Sequence, residues 1–434
     1  MDIDDKGCEQ PCASDGNPTR KRASAFPLIG FAILARMAFD GVNLSPLFEM
    51  LSDKVADATA HPGELMDLSV IAQLLNLKQQ GLSIQRKILA RHRLFRSPCY
   101  TRRPDLRVLA LAASIDIGGN TPIEFLLEGS AIELTTLYVV PGTELPSPLP
   151  MHDVAIVIAS DSEDCRAALA EIDRIAMTWP KPLLNRPHLV MQLDRDKLYR
   201  LLVNIDGLTM PITICASRSD LTEAMRDQRS LTDPPSEMSF PLIIRPRGSH
   251  AGKGLSKIDG PDGLHDYLSK RPEEEFFVSQ FVDYADDYGI FRKYRIVAVD
   301  GRFFACHMAI ADQWDIWYLN AGMLFDSGKR AEEKSFMETF NTAFASRHGR
   351  ALSMMLERIG LDYFTVDCAE DRNGNLLIFE VDNTAVVHNM DPADIYPYKG
   401  PQMRAIFSAF SAMLVRAAAL PTSNHGGEGR PRQR

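Results

Sequence analysis

Hydrophobic residues recur at spacings of three and four in the N-terminal part of the chain, a pattern that predicts amphipathic helices. The apolar positions of the two clearest series are Leu65, Leu68, Ile71, Ala72 and Leu75, and then Leu82, Ile84, Ile88 and Leu89. A break between the series at Gly81 predicts an antiparallel helix pair. The pair either packs against the domain that follows or offers a peptide-binding groove, and we favour packing because a single helical hairpin seldom stands alone.

From residue 101 to 185, strand patterns alternate with helix patterns. Buried-strand runs lie at 107–112, 134–140 and 152–158, and helical patterns lie at 121–127, with Thr121 as the cap, and at 165–179. This alternation predicts a parallel sheet covered on both faces and therefore a Rossmann-like domain. No G-x-G-x-x-G accompanies it, and the glycine-rich turn at 116–120 is equally consistent with a structural connection.

A strand at 240–246 leads into a glycine-rich loop, which returns as a strand at 255–258. The loop residues that we expect to approach an anion are Gly248, Ser249, Gly252, Lys253 and Gly254. Glycines let backbone N–H groups come close to a phosphate, and Lys253 adds a positive charge. Because no Ser or Thr follows the lysine, the loop is not a Walker A motif. It predicts a hairpin flap over phosphates, and the alternative is a glycine-rich hairpin without a ligand. Residues 227–239 are polar and contain proline, and we expect a surface loop.

A second hairpin is predicted between residues 292 and 305, turning at Asp300-Gly301. Lys293 and Arg295 share one face of its first strand. Arg295 could clamp a carboxylate or phosphate with two hydrogen bonds, whereas Lys293 could equally be an exposed edge-strand charge. His307 is either a core histidine or a catalytic one. The following loop at 312–322, which includes Asn320, mixes aromatic and amide side chains, as substrate loops often do.

A third predicted hairpin follows a helix that ends at Gly360. If Asn373 and Gly374 form its two-residue turn, Asp367 lies directly opposite Glu380, and Asp382 shares the face of Glu380. Opposed carboxylates destabilise a sheet unless a cation lies between them. Oxygen ligands of this kind suit Mg²⁺, with Mn²⁺ as an alternative, and phosphoryl chemistry. The alternative interpretation is a solvated acidic face.

Composition narrows the class of protein. The 434 residues are 45% hydrophobic and 24% charged, as in ordinary globular proteins with two or three domains. A net charge of −9 argues against a nucleic-acid partner. The seven cysteines are scattered and odd in number, which suits a reducing cytoplasm. We find neither an apolar run long enough to span a membrane nor a secretory leader, so we expect a cytoplasmic protein without a membrane partner.

The order of flap, linker strand, Arg-bearing hairpin and acidic hairpin, from about residue 184 to 388, resembles the ATP-grasp superfamily of carboxylate-amine ligases. The added helical segment resembles the tetratricopeptide-containing type. The resemblance implies a mixed α/β and α+β fold. Its predicted parts are a disordered tail (1–25), a helical segment (26–100), a Rossmann-like pre-ATP-grasp domain (101–185), a two-subdomain ATP-grasp domain (186–420) and a second tail (421–434).

The resemblance also implies roles for individual residues. Lys197 would contact nucleotide phosphate, and Arg245 replaces a lysine that usually reaches the α-phosphate and adenine. The linker strand at Gln280, Phe281 and Val282 would read the adenine edge, and Asp283 or Asp287 would hold the ribose. Asp367 and Glu380 match the metal carboxylates, while Asp382 stands where the family usually has asparagine. Arg295, His307 and Asn320 are candidates near the acceptor.

These features together predict an ATP- and Mg²⁺-dependent ligase that joins a carboxylate, activated as an acyl phosphate, to the amine of a small molecule or peptide. A homodimer is also compatible with these features. Two alternatives remain open at this point. One is a phosphotransferase on the same fold, and the other is a catalytically silent ATP-binding scaffold.

Overall fold

The computed structural model of the chain describes residues 25–227, 231, 238–249 and 252–420. The predicted tails and most of the predicted surface loop at 227–239 lie outside these residues. Within them the protein is a mixed α/β structure with three sheets. None of the helices described here has the length and apolar character needed to cross a membrane.

The N-terminal half contains nine helices and eight strands. In chain order they are β1 (Phe26–Pro27), α1 (Phe31–Phe39), α2 (Ser45–Ala56), α3 (Pro62–Leu74), α4 (Lys78–Leu89), β2 (Leu94–Arg96), β3 (Leu106–Ala113), α5 (Ile123–Leu126), β4 (Ile132–Val139), β5 (Val154–Val157), α6 (Glu163–Ala176), β6 (Leu183–Leu184), α7 (Pro187–Val190), α8 (Arg195–Leu202), β7 (Leu208–Thr209), β8 (Thr213–Ser217) and α9 (Arg218–Asp227). These counts refer to the described residues alone.

The C-terminal half continues with strands that close the two remaining sheets. Its elements are β9 (Leu242–Pro246), β10 (Ser256–Ile258), α10 (Pro261–Ser269), β11 (Glu275–Gln280), β12 (Phe291–Val299), β13 (Arg302–Ala311), a 3₁₀ turn (Met323–Phe325), α11 (Ser327–Thr339), α12 (Phe344–Arg347), α13 (Gly349–Ile359), β14 (Tyr363–Glu370), β15 (Leu376–Asp382) and α14 (Lys399–Ala419).

The first sheet has six strands in the order β1-β2-β4-β3-β5-β6. Within this sheet, the adjacent strands β4, β3, β5 and β6 run parallel to one another, as the alternating pattern predicted. The short strands β1 and β2 come from the predicted helical segment and extend this sheet at one edge. The predicted helix after Thr121 is a single turn, α5, and Thr121 does not cap it. Its hydroxyl instead donates to the carbonyl oxygen of Asn383 at 2.8 Å, because the two chain segments pack together.

The predicted helix pair is present as α3 and α4, but the break is not at Gly81. The chain turns at Asn76, whose φ of 63° is left-handed, and Gly81 lies inside α4. A Cβ atom at Gly81 would lie 2.6 Å from the carbonyl oxygen of Ser69 and 2.6 Å from Cγ of Gln73, so glycine permits close packing of the two helices. The Gln73 side chain also accepts a hydrogen bond from the backbone N–H of Ile117, which joins the helix pair to the following sheet.

The second sheet has four antiparallel strands in the order β10-β9-β11-β8, and the third has five strands in the order β13-β12-β14-β15-β7. The predicted glycine-rich hairpin connects β9 to β10. The predicted turn at Asp300-Gly301 joins β12 to β13, with φ values of 47° and 76° that suit a tight hairpin turn. Gly360 ends α13 in the left-handed conformation, as predicted. Helix α14 contacts strands of both the five-stranded and the six-stranded sheets.

Candidate functional site

A cavity of about 820 Å³ lies between the four-stranded and five-stranded sheets. Strands β8, β9 and β11 line one side, and strands β12 to β15 line the other. Of the residues that the sequence singled out, the following line this cavity: Arg245, Gly252, Gln280, Phe281, Val282, Lys293, Arg295, His307, Asn320, Asp367, Glu380 and Asp382. The three predicted carboxylates therefore share one cavity with the predicted acceptor residues.

The strand register places Asp367 opposite Glu380, as predicted, but by a different route. The turn is not the two-residue Asn-Gly turn, because Asp371 and Asn375 close a three-residue loop, with the Asp371 N–H donating to the Asn375 carbonyl at 2.9 Å. A bulge then shifts the pairing beside Asp367, so Phe379 is an extra residue in β15. The longer loop and the bulge each shift the strand register by one residue, in opposite directions, so Asp367 still pairs with Glu380.

Asp367 is enclosed by positive charge. Arg295 pairs with it across β12 and β14 and donates from Nε at 2.7 Å and from a terminal nitrogen at 3.1 Å. Lys293 Nζ lies 2.9 Å from the same carboxylate. Burial opposes ionisation of Asp367, but the charges of Arg295 and Lys293 outweigh it and hold the pKa of this carboxyl well below its usual range. Asp367 is therefore an ionised partner of two cations.

Glu380 and Asp382 lie two residues apart on β15. Arg195, the first residue of α8, contacts Glu380 at 2.8 Å and also donates to the carbonyl oxygen of Phe379. This ion pair lowers the pKa of Glu380 despite burial. Asp382 accepts from the backbone N–H and the hydroxyl of Thr384 at 2.7 and 2.8 Å. Burial, and then the negative charge of Glu380, raise its pKa. A cation beside Asp382 would relieve that repulsion.

The sequence analysis predicts a metal site formed by three carboxylates, and the structure agrees with that prediction only in part. Across the described chain, no group of three or more His, Cys, Asp or Glu side chains is arranged to hold a metal ion. Glu380 and Asp382 have the oxygen donors that suit a hard cation, although Arg195 already contacts Glu380 at 2.8 Å. Asp367, by contrast, already directs both oxygens towards Arg295 and Lys293.

Arg245 connects the cavity to the glycine-rich flap. Its guanidinium donates to the hydroxyl of Ser249 at 3.0 Å and to the backbone oxygen of the same residue. Burial, with the nearby charge of Arg195, lowers the pKa of Arg245 to about 10, so the group stays positive at neutral pH. Gly248 and Ser249 line a smaller adjoining cavity rather than the main one.

Five further predicted cofactor residues line neither the main cavity nor the smaller one: Lys197, Lys253, Gly254, Asp283 and Asp287. Lys197 Nζ donates to the carbonyl oxygen of Met191 at 2.6 Å and faces Asp161, away from Glu380. Asp283 accepts from Arg372 at 2.7 Å. Lys253 and Asp287 are exposed. A Cβ atom at Gly254 would lie 2.8 Å from Cδ of Pro246, so this glycine allows the flap to fold back on its own strand.

Arg195 is the main cavity cation that the sequence did not reveal. It lies two residues before the predicted Lys197, and the helix turns the two side chains in different directions. The available signal was Asp194, which caps α8 and accepts from the N–H of Arg195 at 3.2 Å. Because Arg195 directly follows this cap, it is the first residue of α8 and lies at the N-terminal end of the helix.

The predicted aromatic loop forms one wall of the cavity through Trp314, Trp317 and Tyr318. The Asn320 side chain holds this loop, since it accepts from the N–H of Trp317 and donates to the carbonyl oxygen of Asp315. The ring of His307 lies 4.9 Å from that of Tyr318. Burial, and then the charge of Arg295, hold the pKa of His307 well below its usual value, so the imidazole is neutral.

Comparisons with known proteins give partial matches. No protein-family model matches the chain. A stretch of 97 residues is 34% identical to the formate-dependent phosphoribosylglycinamide formyltransferase of Delftia acidovorans and covers 22% of each chain. The enzyme of the same name from Mycolicibacterium vanbaalenii is 33% identical over 98 residues, again covering 22% of each chain. The chain thus spans about a fifth of the length of the curated relatives it matches.

Solved structures that resemble this fold include a RimK domain ATP-grasp protein from Sphaerobacter thermophilus, with 16% identity, a TM-score of 0.39, and coverage of 71% of this chain and 99% of that one. The VanG D-Ala:D-Ser ligase of Enterococcus faecalis has 13% identity, a TM-score of 0.43, and coverage of 73% and 100%. The D-alanine–D-alanine ligase of Bacillus anthracis complexed with ATP has 10% identity, a TM-score of 0.43, and coverage of 72% and 98%. The tetratricopeptide-containing type finds no support among them.

Proposed function

We propose that this protein is an ADP-forming ligase that uses ATP and Mg²⁺ to join a carboxylate to an amine. The observation that supports this most directly is the charge arrangement of the main cavity. Four cationic side chains, Arg195, Arg245, Lys293 and Arg295, line it together with Asp367, Glu380 and Asp382. A nucleotide triphosphate needs both kinds of group, because cations bind its phosphate oxygens and carboxylates hold the metal ion that accompanies them.

The polarity of the cavity supports a defined orientation for the nucleotide. Met210, Phe281, Val282 and Phe379 supply apolar and aromatic surface on which a base can stack. The cations lie on β9, β12 and α8, so the triphosphate would extend from this surface towards Arg195 and Arg245. Lys257 lies 4.5 Å over the ring of Phe281 and adds a positive charge beside the linker strand.

The triphosphate of the nucleotide would bind to residues that are already held in place. The mutual repulsion of Arg195 and Arg245 favours an anion between them, and Arg245 also fixes the flap through Ser249. Glu380 and Asp382 would hold Mg²⁺, with Asp367 as a further candidate ligand. When bound, the ion would neutralise phosphate charge, as it does in other phosphoryl-transfer enzymes.

The proposed reaction has two steps. A carboxylate oxygen of the acid attacks the γ-phosphorus, and ADP leaves as the bond to its β-phosphate oxygen breaks. The amine then attacks the acyl carbon, inorganic phosphate leaves, and the amine nitrogen loses a proton. Arg295 would stabilise the developing negative charge of the acyl phosphate. Neutral His307 can accept a proton, although its low pKa makes it a weak base.

The test is ADP release measured with panels of carboxylates and amines, singly and in pairs. We expect full turnover to require one member of each panel and expect Glu380→Gln to abolish it. Asp283→Asn is a matched control, because Asp283 is an exposed carboxylate outside the cavity. ADP release that needs only a hydroxyl acceptor would support a phosphotransferase, and nucleotide binding without turnover would support a scaffold. Either result would contradict the proposal.

A further inference from the structure

Part of the main cavity is lined by apolar side chains, three of which stay open to solvent. Loop 314–320 contributes Ile316, Trp317 and Leu319, and the segment after β15 contributes Ala385 and Val386. Trp317 is 50% exposed, Leu319 77% and Val386 44%. Exposed apolar residues that line a cavity are typical of a surface that a ligand covers. We call these five residues the apolar patch.

The apolar patch is distinct from the surface proposed for the base of the nucleotide. In loop 314–320, Trp314 is the residue that reaches that surface, with its ring 6.1 Å from the ring of Phe281. In chain order, Phe379 of the base surface is followed by the proposed metal ligands and only then by the segment of the patch. A second substrate can therefore occupy the apolar patch while the nucleotide is bound.

A buried ion cluster holds both parts of the apolar patch in place. Nζ of Lys399 donates to the hydroxyl of Tyr318 in the loop and to Asp391, in the chain that follows Val386, at 3.1 Å. The Tyr318 hydroxyl donates at 3.0 Å to Glu333, which is fully buried on α11. Because the loop and the segment meet at one lysine, the patch is already formed and little ordering is needed when a ligand binds.

The charge next to the apolar patch favours a carboxylate over an ammonium group. Arg295 pairs with His307 across β12 and β13, and the ring of His307 contacts that of Tyr318 in the patch loop. Arg295 uses Nε and one terminal nitrogen for Asp367, and its other terminal nitrogen has no hydrogen-bond partner among the described residues. A carboxylate bound to that nitrogen would lie beside the loop that carries Trp317.

We propose that the apolar patch binds the body of the acid substrate, whose carboxylate contacts Arg295. The substrate is then a monocarboxylic acid with a bulky aromatic or aliphatic group. A small or polar acid would leave the patch in contact with water, whereas an apolar body buries it and an aromatic one can also stack on Trp317. This inference rests on the proposed ligase function for its biological meaning, but binding at the patch does not depend on turnover.

The first experiment measures binding to the full-length protein by calorimetric titration with three probes. Hydrocinnamate and propionate share a carboxylate and differ by a phenyl group, and phenethylamine keeps the phenyl group but reverses the charge. We expect hydrocinnamate to bind about tenfold or more tightly than either of the other two, because it alone satisfies both the patch and Arg295. Equal affinities of the two acids, or tighter binding of phenethylamine, would overturn the assignment.

Substitutions in the apolar patch locate the binding. Trp317→Ser should lower the affinity for hydrocinnamate about tenfold, and Leu319→Ser is a second variant at a side chain that is too exposed to be needed for folding. Phe325→Ser is the matched control, because Phe325 is an exposed aromatic residue just beyond the same loop that does not line the cavity. Unchanged affinity in both patch variants, or an equal loss in Phe325→Ser, would contradict the proposed site.

The second experiment separates this inference from the ligase proposal. ADP release is measured with hydrocinnamate, propionate and succinate, each paired with the amine panel. We expect kcat/KM to be about tenfold or more higher for hydrocinnamate, and Trp317→Ser to remove that preference. Turnover that prefers propionate or succinate would overturn the inference and leave the ligase function intact. Hydrocinnamate binding that Trp317→Ser weakens, without ADP release from any acid, would contradict the ligase function and support the binding site.

Discussion

Replacing Asp367 by asparagine tests whether the site depends on a buried ion cluster. The change preserves the size of the side chain but removes the charge that Arg295 and Lys293 share at 2.7–3.1 Å. Asp367 is 8% exposed and each cation is 23% exposed, so water would compensate the lost charge poorly. Removing one member of a buried pair costs about 3–5 kcal/mol, and the partial exposure of the two cations favours the lower end, about 3 kcal/mol.

The free energy of unfolding is measured by urea denaturation with tryptophan fluorescence, which reports on the cavity because Trp314 and Trp317 line it. The matched control is Asp283→Asn, which breaks one exposed pair with Arg372 and should cost less than about 1 kcal/mol. Adding Arg295→Met to Asp367→Asn removes one uncompensated cation and should recover part of the loss. If Asp367→Asn costs no more than Asp283→Asn, the electrostatic account of this cluster is wrong.

Three further predictions follow from the structure. Arg195→Met should weaken binding of a non-hydrolysable ATP analogue by about tenfold or more, because Arg195 lines the cavity, whereas Lys197→Met should change the affinity little. Both affinities are measured by calorimetric titration. A larger loss of affinity in Lys197→Met than in Arg195→Met would support the role first predicted for Lys197. Gly81→Val should destabilise the protein by about 2 kcal/mol, because its side chain would collide with the carbonyl oxygen of Ser69, and an unchanged unfolding midpoint would contradict this packing. Burial raises the pKa of Asp67 from 3.8 to about 6, so the stability linked to its protonation is present below pH 3.8 and is lost as pH rises through 6. Relative to wild type, Asp67→Asn should therefore gain about 2.4 kcal/mol between pH 4 and pH 7, and a pH-independent difference in urea denaturation would refute the assignment.

Local patterns in the sequence predicted the elements that depend on neighbouring residues. The hairpin turn at Asp300-Gly301 and the helix end at Gly360 are present because each needs a positive φ that those residues tolerate. The pairing of Asp367 with Glu380 is also present. Its predicted turn was wrong, however, because alternation of side chains along a strand cannot reveal a bulge at Phe379.

Long-range packing determined what the sequence could not show. The partnership of Asp367 with Arg295 requires β12 to lie beside β14, which nothing in either strand specifies. The choice between Arg195 and Lys197 depends on how α8 is rotated against β15, and the residue pattern of the helix leaves that rotation open.

The most direct test of the central claim is calorimetric titration of a non-hydrolysable ATP analogue into the wild-type protein and into the double variant Glu380→Gln with Asp382→Asn, each with and without Mg²⁺. The account predicts that Mg²⁺ strengthens binding to the wild type by about tenfold or more and that the double variant loses this enhancement while still binding nucleotide. Nucleotide binding that Mg²⁺ enhances equally in both proteins, or no binding to the wild type, would contradict it.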